Sequence, residues 1–218
     1  MNARSSTLTL SLALLVSGFA LADEPAVVAK RIEAFYKERP TIRARFVQKV
    51  QKPGRRRILE KSGNVFFSRP GKMRWEYKAP EQVFYVSDGN VLWSYQVEDQ
   101  LVTRLEVKSS ELYHQSRYLF GQGDLAQDFA LASAATDVPG AVAITLTPKS
   151  AARDFKSLTL VVDGKTGEIR KTELIDPYDN KSVIEFIEVD FKEVDPKVYE
   201  FTPPKDATVR DLSKGASN

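Results

Sequence analysis

The sequence contains no cysteine and only one histidine, His114. Without cysteine the chain can form no disulfide, no thiolate metal site and no cysteine nucleophile, and we expect that it is not itself a lipoprotein. A single histidine excludes a metal site built from several histidines. A Ser-His-Asp triad would have to use His114, but the sequence contains no G-x-S-x-G segment. A glycine-rich phosphate-binding loop is also absent.

Paired carboxylates are the one catalytic arrangement that remains open. Glu76, Glu81 and Asp88 lie close together in the sequence. However, Glu76 alternates with apolar residues and shares a charged strand face with Arg74, and a hairpin turn explains Asp88. We therefore expect a binding protein without a metal or other cofactor, and we keep an enzyme acting on a hydrophobic envelope substrate as an alternative.

Long apolar runs are missing except for Leu8–Leu21 near the N-terminus. Arg4 precedes this run and Ala20-Leu21-Ala22 matches a cleavage site, so we predict a signal peptide over residues 1–22 that is cleaved after Ala22. Residues 23–218 should then form a single domain with a mobile polar tail from about residue 209. The net charge of +3 is too small to indicate binding to nucleic acid.

The sequence does contain many short strands that are rich in aromatic residues. A helix is predicted over Pro25–Glu38, and from Thr41 onward apolar residues recur at every second position, as is typical of strands. Asp88-Gly89 between two such strands predicts a hairpin, because glycine adopts a positive φ readily. Ten or eleven consecutive antiparallel strands predict a strongly curved sheet or barrel, because a flat sheet of that size would expose long edges.

Two segments interrupt the strand pattern. Ser109–Phe120 is predicted to form a helix or helical loop across one mouth of the sheet. Leu125–Ala134 fits a short helix and a weak strand equally well. A further segment, Lys52-Pro53-Gly54-Arg55-Arg56-Arg57, is basic, and we interpret it as a solvated hairpin loop or as a docking patch for an acidic partner or anionic lipid head groups.

Several strands carry large apolar side chains on both faces. Such a sheet must be covered on both sides, or must bind a hydrophobic ligand on one of them. We take eight residues as candidates for the lining of an apolar ligand cavity, with ordinary core packing as the alternative for each of them: Phe46, Phe66, Trp75, Phe84, Trp93, Ile144, Leu158 and Phe186.

A set of short motifs occurs in one order along nearly all of residues 23–218. The motifs are Phe46-Val47-Gln48-Lys49, Gly63-Asn64-Val65-Phe66, Arg69-Pro70 with Trp75, Val86-Ser87-Asp88-Gly89, Leu92-Trp93-Ser94-Tyr95, Leu146-Thr147-Pro148-Lys149 and Phe201-Thr202-Pro203-Pro204. With these motifs the sequence resembles the periplasmic outer-membrane lipoprotein carrier family, LolA.

The resemblance implies an unclosed antiparallel β-barrel of about eleven strands, with helices that form a lid over a hydrophobic cavity. It also implies a periplasmic monomer whose cargo is acylated lipoproteins, received from an inner-membrane lipoprotein-releasing transporter and passed to an outer-membrane acceptor. Arg69 matches an arginine that holds the lid closed in that family. The related acceptor is anchored through an N-terminal cysteine, so the lack of cysteine favours the soluble carrier. A domain that senses envelope lipids or lipoproteins is the alternative binding function.

Overall fold

The computed structural model describes residues 23–109, 123–150 and 155–213. The predicted signal peptide, His114 and most of the predicted helical segment Ser109–Phe120 lie outside these residues. The helices are α1 (Pro25–Lys37), α2 (Leu125–Asp128) and the 3-10 turns Val107–Ser109 and Pro196–Tyr199. No helix in the described ranges is long and apolar enough to cross a membrane.

Twelve strands form one sheet. They are β1 (Thr41–Gln51), β2 (Ile58–Ser68), β3 (Lys72–Ala79), β4 (Val83–Asp88), β5 (Val91–Gln96), β6 (Leu101–Glu106), β7 (Phe129–Ala134), β8 (Ala141–Pro148), β9 (Ser157–Asp163), β10 (Ile169–Ile175), β11 (Lys181–Asp190) and β12 (Thr208–Asp211). The order across the sheet is β12-β6-β5-β4-β3-β2-β1-β11-β10-β9-β8-β7. Pairing of β1 with β11 brings the two halves of the chain together in one unclosed sheet, which confirms the predicted fold class.

The C-terminal segment differs from the sequence prediction. We expected a mobile tail from about residue 209, but Thr208–Asp211 form β12, which pairs in parallel with β6. The backbone amide of Leu212 also donates to the carbonyl of Arg104 at 2.8 Å. The polar composition of the segment predicted mobility, but the exposed edge of β6 supplies backbone hydrogen-bond partners for it. Leu125–Ala134, which the sequence left undecided, is the short helix α2 followed by strand β7.

The hairpin between β4 and β5 forms as predicted. The Asp88 carboxylate accepts hydrogen bonds from the backbone amides of Asn90 and Val91 at 2.8 and 2.9 Å. Gly89 has a φ of 103°. A second glycine, Gly63 in β2, has no room for a side chain, because a Cβ there would lie 1.8 Å from the Glu76 carbonyl oxygen.

One face of the sheet, here called the inner face, packs against α1. The buried side of the helix consists of Val28, Ala29, Ile32, Phe35 and Tyr36, at the spacing of one helical stripe. These side chains join the main hydrophobic cluster of the protein. The helix comes so close to the β9–β10 turn that a Cβ on Gly167 would lie 2.7 Å from the Arg31 carbonyl oxygen.

The opposite face, here called the outer face, is covered by the chain that follows β11. Val86 and Val102 are fully buried there. Phe201 packs against Trp93 and Tyr95, with ring centroids 5.8 and 6.0 Å apart. Both faces of this part of the sheet are therefore covered, as the apolar side chains on both faces predicted.

Candidate functional site

Five of the eight predicted cavity residues lie together on the inner face. Phe46, Trp75, Ile144 and Leu158 are buried in the main hydrophobic cluster, and Phe186 packs against it partly exposed. They come from five different strands. Their side chains join the cluster that also contains the buried side of α1, and together they form one apolar wall.

The aromatic part of this wall is tightly packed. The Phe46 ring contacts Trp75 and Tyr77 edge-to-face, with centroids 4.9 and 5.0 Å apart. Tyr77 in turn contacts Tyr85 at 6.1 Å. Edge-to-face contacts of this kind add to the free energy gained from burial alone. Burial raises the pKa of both tyrosines above the ordinary value of 10.0, so both hydroxyls are neutral at physiological pH.

Trp75 has a buried polar atom without a partner. Its side chain is only 2% exposed, and its indole Nε1 has no hydrogen-bond acceptor among the described residues. A buried N–H group without an acceptor costs about 1 to 3 kcal/mol relative to a bonded one. The inner face therefore offers an unused donor to any molecule that brings an oxygen acceptor.

A cavity of about 110 Å³ opens at one end of the inner face. Its lining combines apolar rings with polar groups: Gln48, Lys61, Tyr77, Pro80, Glu81, Val83 and Tyr85. The Lys61 ammonium lies 5.5 Å from the centre of the Tyr77 ring, within the range of a cation–π interaction. We call this opening the mouth of the inner face.

At Tyr36, the cover formed by α1 packs closely on the sheet. The gap between Tyr36, on the helix, and the facing side chains of the sheet, such as Phe67, Ile169 and Phe186, has a volume of only about 10 Å³. Ligand pockets typically have volumes of about 300 to 1,000 Å³. The gap at Tyr36 is thus too small for a lipid chain unless α1 moves.

Arg69 lies where a latch on α1 would have to lie. Its guanidinium donates to the carbonyl oxygen of Lys37, the last residue of the helix, at 2.5 Å. The positive charge is well placed, because the C-terminus of a helix carries partial negative charge. The backbone amide of Arg69 donates to Pro40 at 2.9 Å, which holds the segment next to the helix end.

Three further hydrogen bonds tie α1 to the rest of the molecule. The Arg31 guanidinium donates to the Gly164 carbonyl at 2.6 Å, and the Glu33 carboxylate accepts from the Leu125 amide at 2.8 Å. The Tyr36 hydroxyl accepts from the Ile169 amide at 3.0 Å. Burial raises the pKa of Tyr36 above its ordinary value of 10.0. Within the described residues, the helix is therefore held by apolar packing and four separate hydrogen bonds to distant parts of the chain.

The other three predicted cavity residues lie on the outer face. Phe84 stacks on Tyr95 with centroids 6.3 Å apart, and Trp93 packs against Phe201. Phe66 pairs across strands with Arg74, whose guanidinium lies over the Phe84 ring at 5.3 Å. These three side chains belong to a second apolar layer under the C-terminal segment and are separated from the inner wall by the sheet.

Two of the three carboxylates considered for catalysis have structural partners, and the third, Glu81, lines the mouth. Glu76 accepts from Arg74 at 2.6 Å on the outer face, and Asp88 closes the hairpin turn. Tyr77 and Tyr85 were not among the predicted cavity residues, although both lie on the inner wall. Period-two alternation from Trp75 points to Tyr77, and the β3–β4 register, which pairs Trp75 with Tyr85, completes the set.

Comparison with known proteins decides the family. The family model of the outer membrane lipoprotein carrier protein LolA matches residues 38–202. The chain belongs to this family. Among LolA-family relatives, an outer-membrane lipoprotein carrier protein of Dechloromonas aromatica is 31% identical over 180 residues, covering 82% of this chain and 85% of the relative. Another, from Alkalilimnicola ehrlichii, is 31% identical over 213 residues and covers 94% of both chains.

A solved structure supports the LolA-like fold without adding to function. The crystal structure of an uncharacterized conserved protein from Thermus thermophilus superposes with a TM-score of 0.55. It covers 85% of this chain and 97% of that protein at 12% sequence identity. At such low identity the likeness concerns the architecture of the sheet alone.

Proposed function

We propose that this chain is a periplasmic carrier that shields the acyl chains of lipoproteins against its inner face. In this proposal it receives them from an inner-membrane lipoprotein-releasing transporter and passes them to an outer-membrane acceptor. One observation carries the proposal: a continuous apolar cluster joins the inner face of the sheet to a helix that is tied to the other described residues by few polar bonds. An ordinary core helix has no need to be removable, whereas the lid of a lipid carrier does.

The energetics of lipid transfer agree with direct transfer of the cargo from one protein to another. Each CH₂ group removed from a bilayer costs about 0.8 kcal/mol, so two or three acyl chains of about fifteen carbons cost roughly 25 kcal/mol or more. Non-covalent affinities end at about 18 to 21 kcal/mol. A soluble carrier therefore takes its cargo directly from a protein that supplies energy, and its own site needs to be adaptable rather than tightly fitted.

The unpaired indole of Trp75 also fits this role. Lipoprotein acyl groups are attached through ester and amide bonds, whose carbonyl oxygens are hydrogen-bond acceptors. An acceptor that reaches Nε1 removes the cost of the unsatisfied donor. The empty, closed state is thereby made less favourable relative to the loaded state, which helps a carrier to open.

The test is a comparison of acylated and unacylated forms of one lipoprotein. The mature protein should form a soluble 1:1 complex with the acylated form and should not retain the same polypeptide without its acyl chains. Equal retention of both forms would refute the proposal. Size-exclusion chromatography followed by mass spectrometry of the complex measures both stoichiometry and acylation.

The two tryptophans allow the binding face to be located in the same experiment. Trp93→Phe leaves Trp75 as the only indole, on the inner face, and Trp75→Phe leaves Trp93 on the outer face. Cargo should change the fluorescence of the first variant and shift its indole ¹⁵N–¹H resonance. The second variant should show no such change. A response from Trp93 alone would place the acyl chains on the wrong face for this proposal.

A further inference from the structure

The loop between β1 and β2 concentrates positive charge without compensation. Lys52, Arg55, Arg56 and Arg57, together called the basic tip, are all exposed. No carboxylate within the described ranges forms an ion pair with any of them. Two other cations at this end of the sheet are paired: Lys156 with Asp179 at 2.6 Å and Lys181 with Glu173 at 2.6 Å.

The hairpin that carries the basic tip projects beyond one of its neighbours. β2 pairs with β1 along its whole length, from Ile58 opposite Gln51. Its pairing with β3 begins only at Ser62, opposite Ala79. The first residues of β2 therefore extend past the end of β3, and the basic tip stands at the extremity of the molecule.

Apolar side chains lie exposed beside these charges. Ile58 and Leu59 are 52% and 38% exposed, and Tyr178 in the β10–β11 turn is 81% exposed. That turn lies next to the basic tip, because Gln51 pairs with Lys181 directly after it. Cations combined with exposed aliphatic and aromatic groups are typical of surfaces that bind at the membrane interface.

The arrangement favours a lipid surface over an acidic protein. Ile58 and Leu59 are consecutive residues of one strand, so their side chains point to opposite faces of the hairpin. A protein docked on one face would contact one of them and leave the other in water. A layer of lipid head groups into which the hairpin dips surrounds both faces at once.

The mouth of the inner face lies at the same end of the molecule. Lys61, which lines it, is three residues along β2 from Ile58, and Gln48 lies opposite Lys61 on β1. A protein resting on its basic tip would therefore hold the mouth close to the lipid surface.

We propose that the basic tip, together with Ile58, Leu59 and Tyr178, docks this protein on anionic phospholipid membranes. Binding requires no cargo, so the empty protein should show it, and the proposal stands apart from acyl-chain carriage. Each basic residue near an anionic surface contributes about fivefold to the partition coefficient. Salt should weaken the attraction, because ions screen charges at the surface.

The test is flotation of the empty mature protein with two kinds of vesicle. It should float with phosphatidylcholine vesicles that contain phosphatidylglycerol and stay unbound with phosphatidylcholine alone. Arg56→Ser should lower the partition coefficient about fivefold, and replacement of the whole basic tip by serine should abolish flotation. The double variant Ile58→Ser, Tyr178→Ser should weaken vesicle binding, and the size of this loss should not depend on the salt concentration.

A matched variant controls for net charge. It also loses four exposed cations, all near the opposite end of the sheet from the basic tip: Lys30, Lys165, Lys192 and Lys197. This variant should float nearly as well as the wild type. The variant whose basic tip is replaced by serine and the control variant should both keep the wild-type Tm. The proposal is overturned if the wild type fails to float with anionic vesicles, or if the tip variant and the control variant lose the same amount of binding. Tip-dependent capture on immobilised polyglutamate without vesicle binding would identify an acidic protein partner instead.

Discussion

On the inner face of the sheet, α1 packs on the hydrophobic cluster that contains Phe46 and Trp75, whereas on the outer face the C-terminal segment covers Trp93 and Tyr95. The side chains beneath the two covers are of the same kind. The covers differ in how they are attached. In the part of the chain that the structure describes, α1 is held by packing and four hydrogen bonds to distant residues, while the outer cover adds a strand to the sheet through β12.

The two faces also differ in how completely their polar groups are hydrogen-bonded. On the outer face, the Tyr199 hydroxyl hydrogen-bonds Ser68 at 2.9 Å, and Arg74 bonds both Glu76 and the Val198 carbonyl. On the inner face, the Trp75 indole is left without an acceptor among the described residues. A cover that stays closed can satisfy every group beneath it, but a cover that opens leaves some groups for the ligand. We infer that the outer face is structural and the inner face functional.

The largest expected difference between the two faces, in stability and in cargo affinity, comes from replacing one phenylalanine on each face by alanine. Phe46→Ala should lower the free energy of unfolding by about 3 to 5 kcal/mol, because the side chain is fully buried. It should also weaken cargo binding, since Phe46 contacts both Trp75 and Tyr77. Phe201→Ala should cost about 2 kcal/mol, because that ring is partly exposed. It should leave cargo affinity unchanged.

Urea unfolding gives the stability of each variant, and titration with an acylated lipoprotein gives the affinity. The measurement must be made where both variants are folded. A Phe201→Ala variant that remains folded but loses cargo would show that the outer face takes part in binding, and the comparison of the two faces would fail.

The next effect concerns the latch. Arg69→Leu removes the charge-assisted bond to the Lys37 carbonyl, worth about 1.5 kcal/mol for an exposed contact of this type. If Arg69 is a latch, this bond forms only while α1 is closed, so its loss should favour the open, loaded state. Delivery to the acceptor should fall about tenfold while cargo binding persists or tightens. Arg69→Lys should also be defective, because a single ammonium cannot reproduce the planar guanidinium.

Arg104→Leu is the matched substitution on the outer face, where Arg104 pairs with Asp211 at 3.3 Å. It should loosen β12 and leave delivery at the wild-type rate. The measured quantity is the rate of lipoprotein transfer from preloaded carrier to acceptor. If Arg69→Leu delivered cargo at the wild-type rate, Arg69 would be an ordinary helix-capping residue.

Much of the fold follows from local signals in the sequence. The helical stripe from Val28 to Tyr36, the period-two alternation and the Asp88-Gly89 turn each predicted an element that the structure contains. The parallel strand β12 carried no such signal. Its four residues are all exposed, and only the free edge of β6, far away in sequence, gives them a partner.

The site was predicted less completely, for a physical reason. Alternation shows that Trp75 and Arg74 lie on opposite faces, but it does not say which distant segment covers each face. Phe84 and Trp93 look like cavity residues until Phe201 is seen to pack over the outer face. Ile144 and Leu158 lie in the buried cluster of the inner face, because both of their strands carry an apolar stripe along that face.

The smallest expected effect is a pH dependence at the α1 contact. Burial raises the pKa of Tyr36 above its ordinary value of 10.0, although the hydrogen bond from the Ile169 amide acts in the opposite direction. Above about pH 10 the unfolded chain loses the tyrosine proton while the folded chain keeps it. The unfolded state then binds fewer protons, so the free energy of unfolding falls as pH rises. The stability that the neutral hydroxyl contributes is fully present below that pH and is lost progressively above it.

Tyr36→Phe tests this contribution directly. At neutral pH the variant should be less stable by about 1 to 2 kcal/mol, because the Ile169 amide loses its acceptor. Between about pH 9 and about pH 11 the difference in free energy of unfolding between the variant and the wild type should shrink by roughly 1 kcal/mol, because only the wild type can lose a proton from Tyr36. Tyr77 and Tyr85 titrate in both proteins, so their contribution cancels in the difference. Urea unfolding at several pH values measures the gap. A gap that stays constant over this range would mean that Tyr36 reaches water in the folded protein, and that α1 is already open.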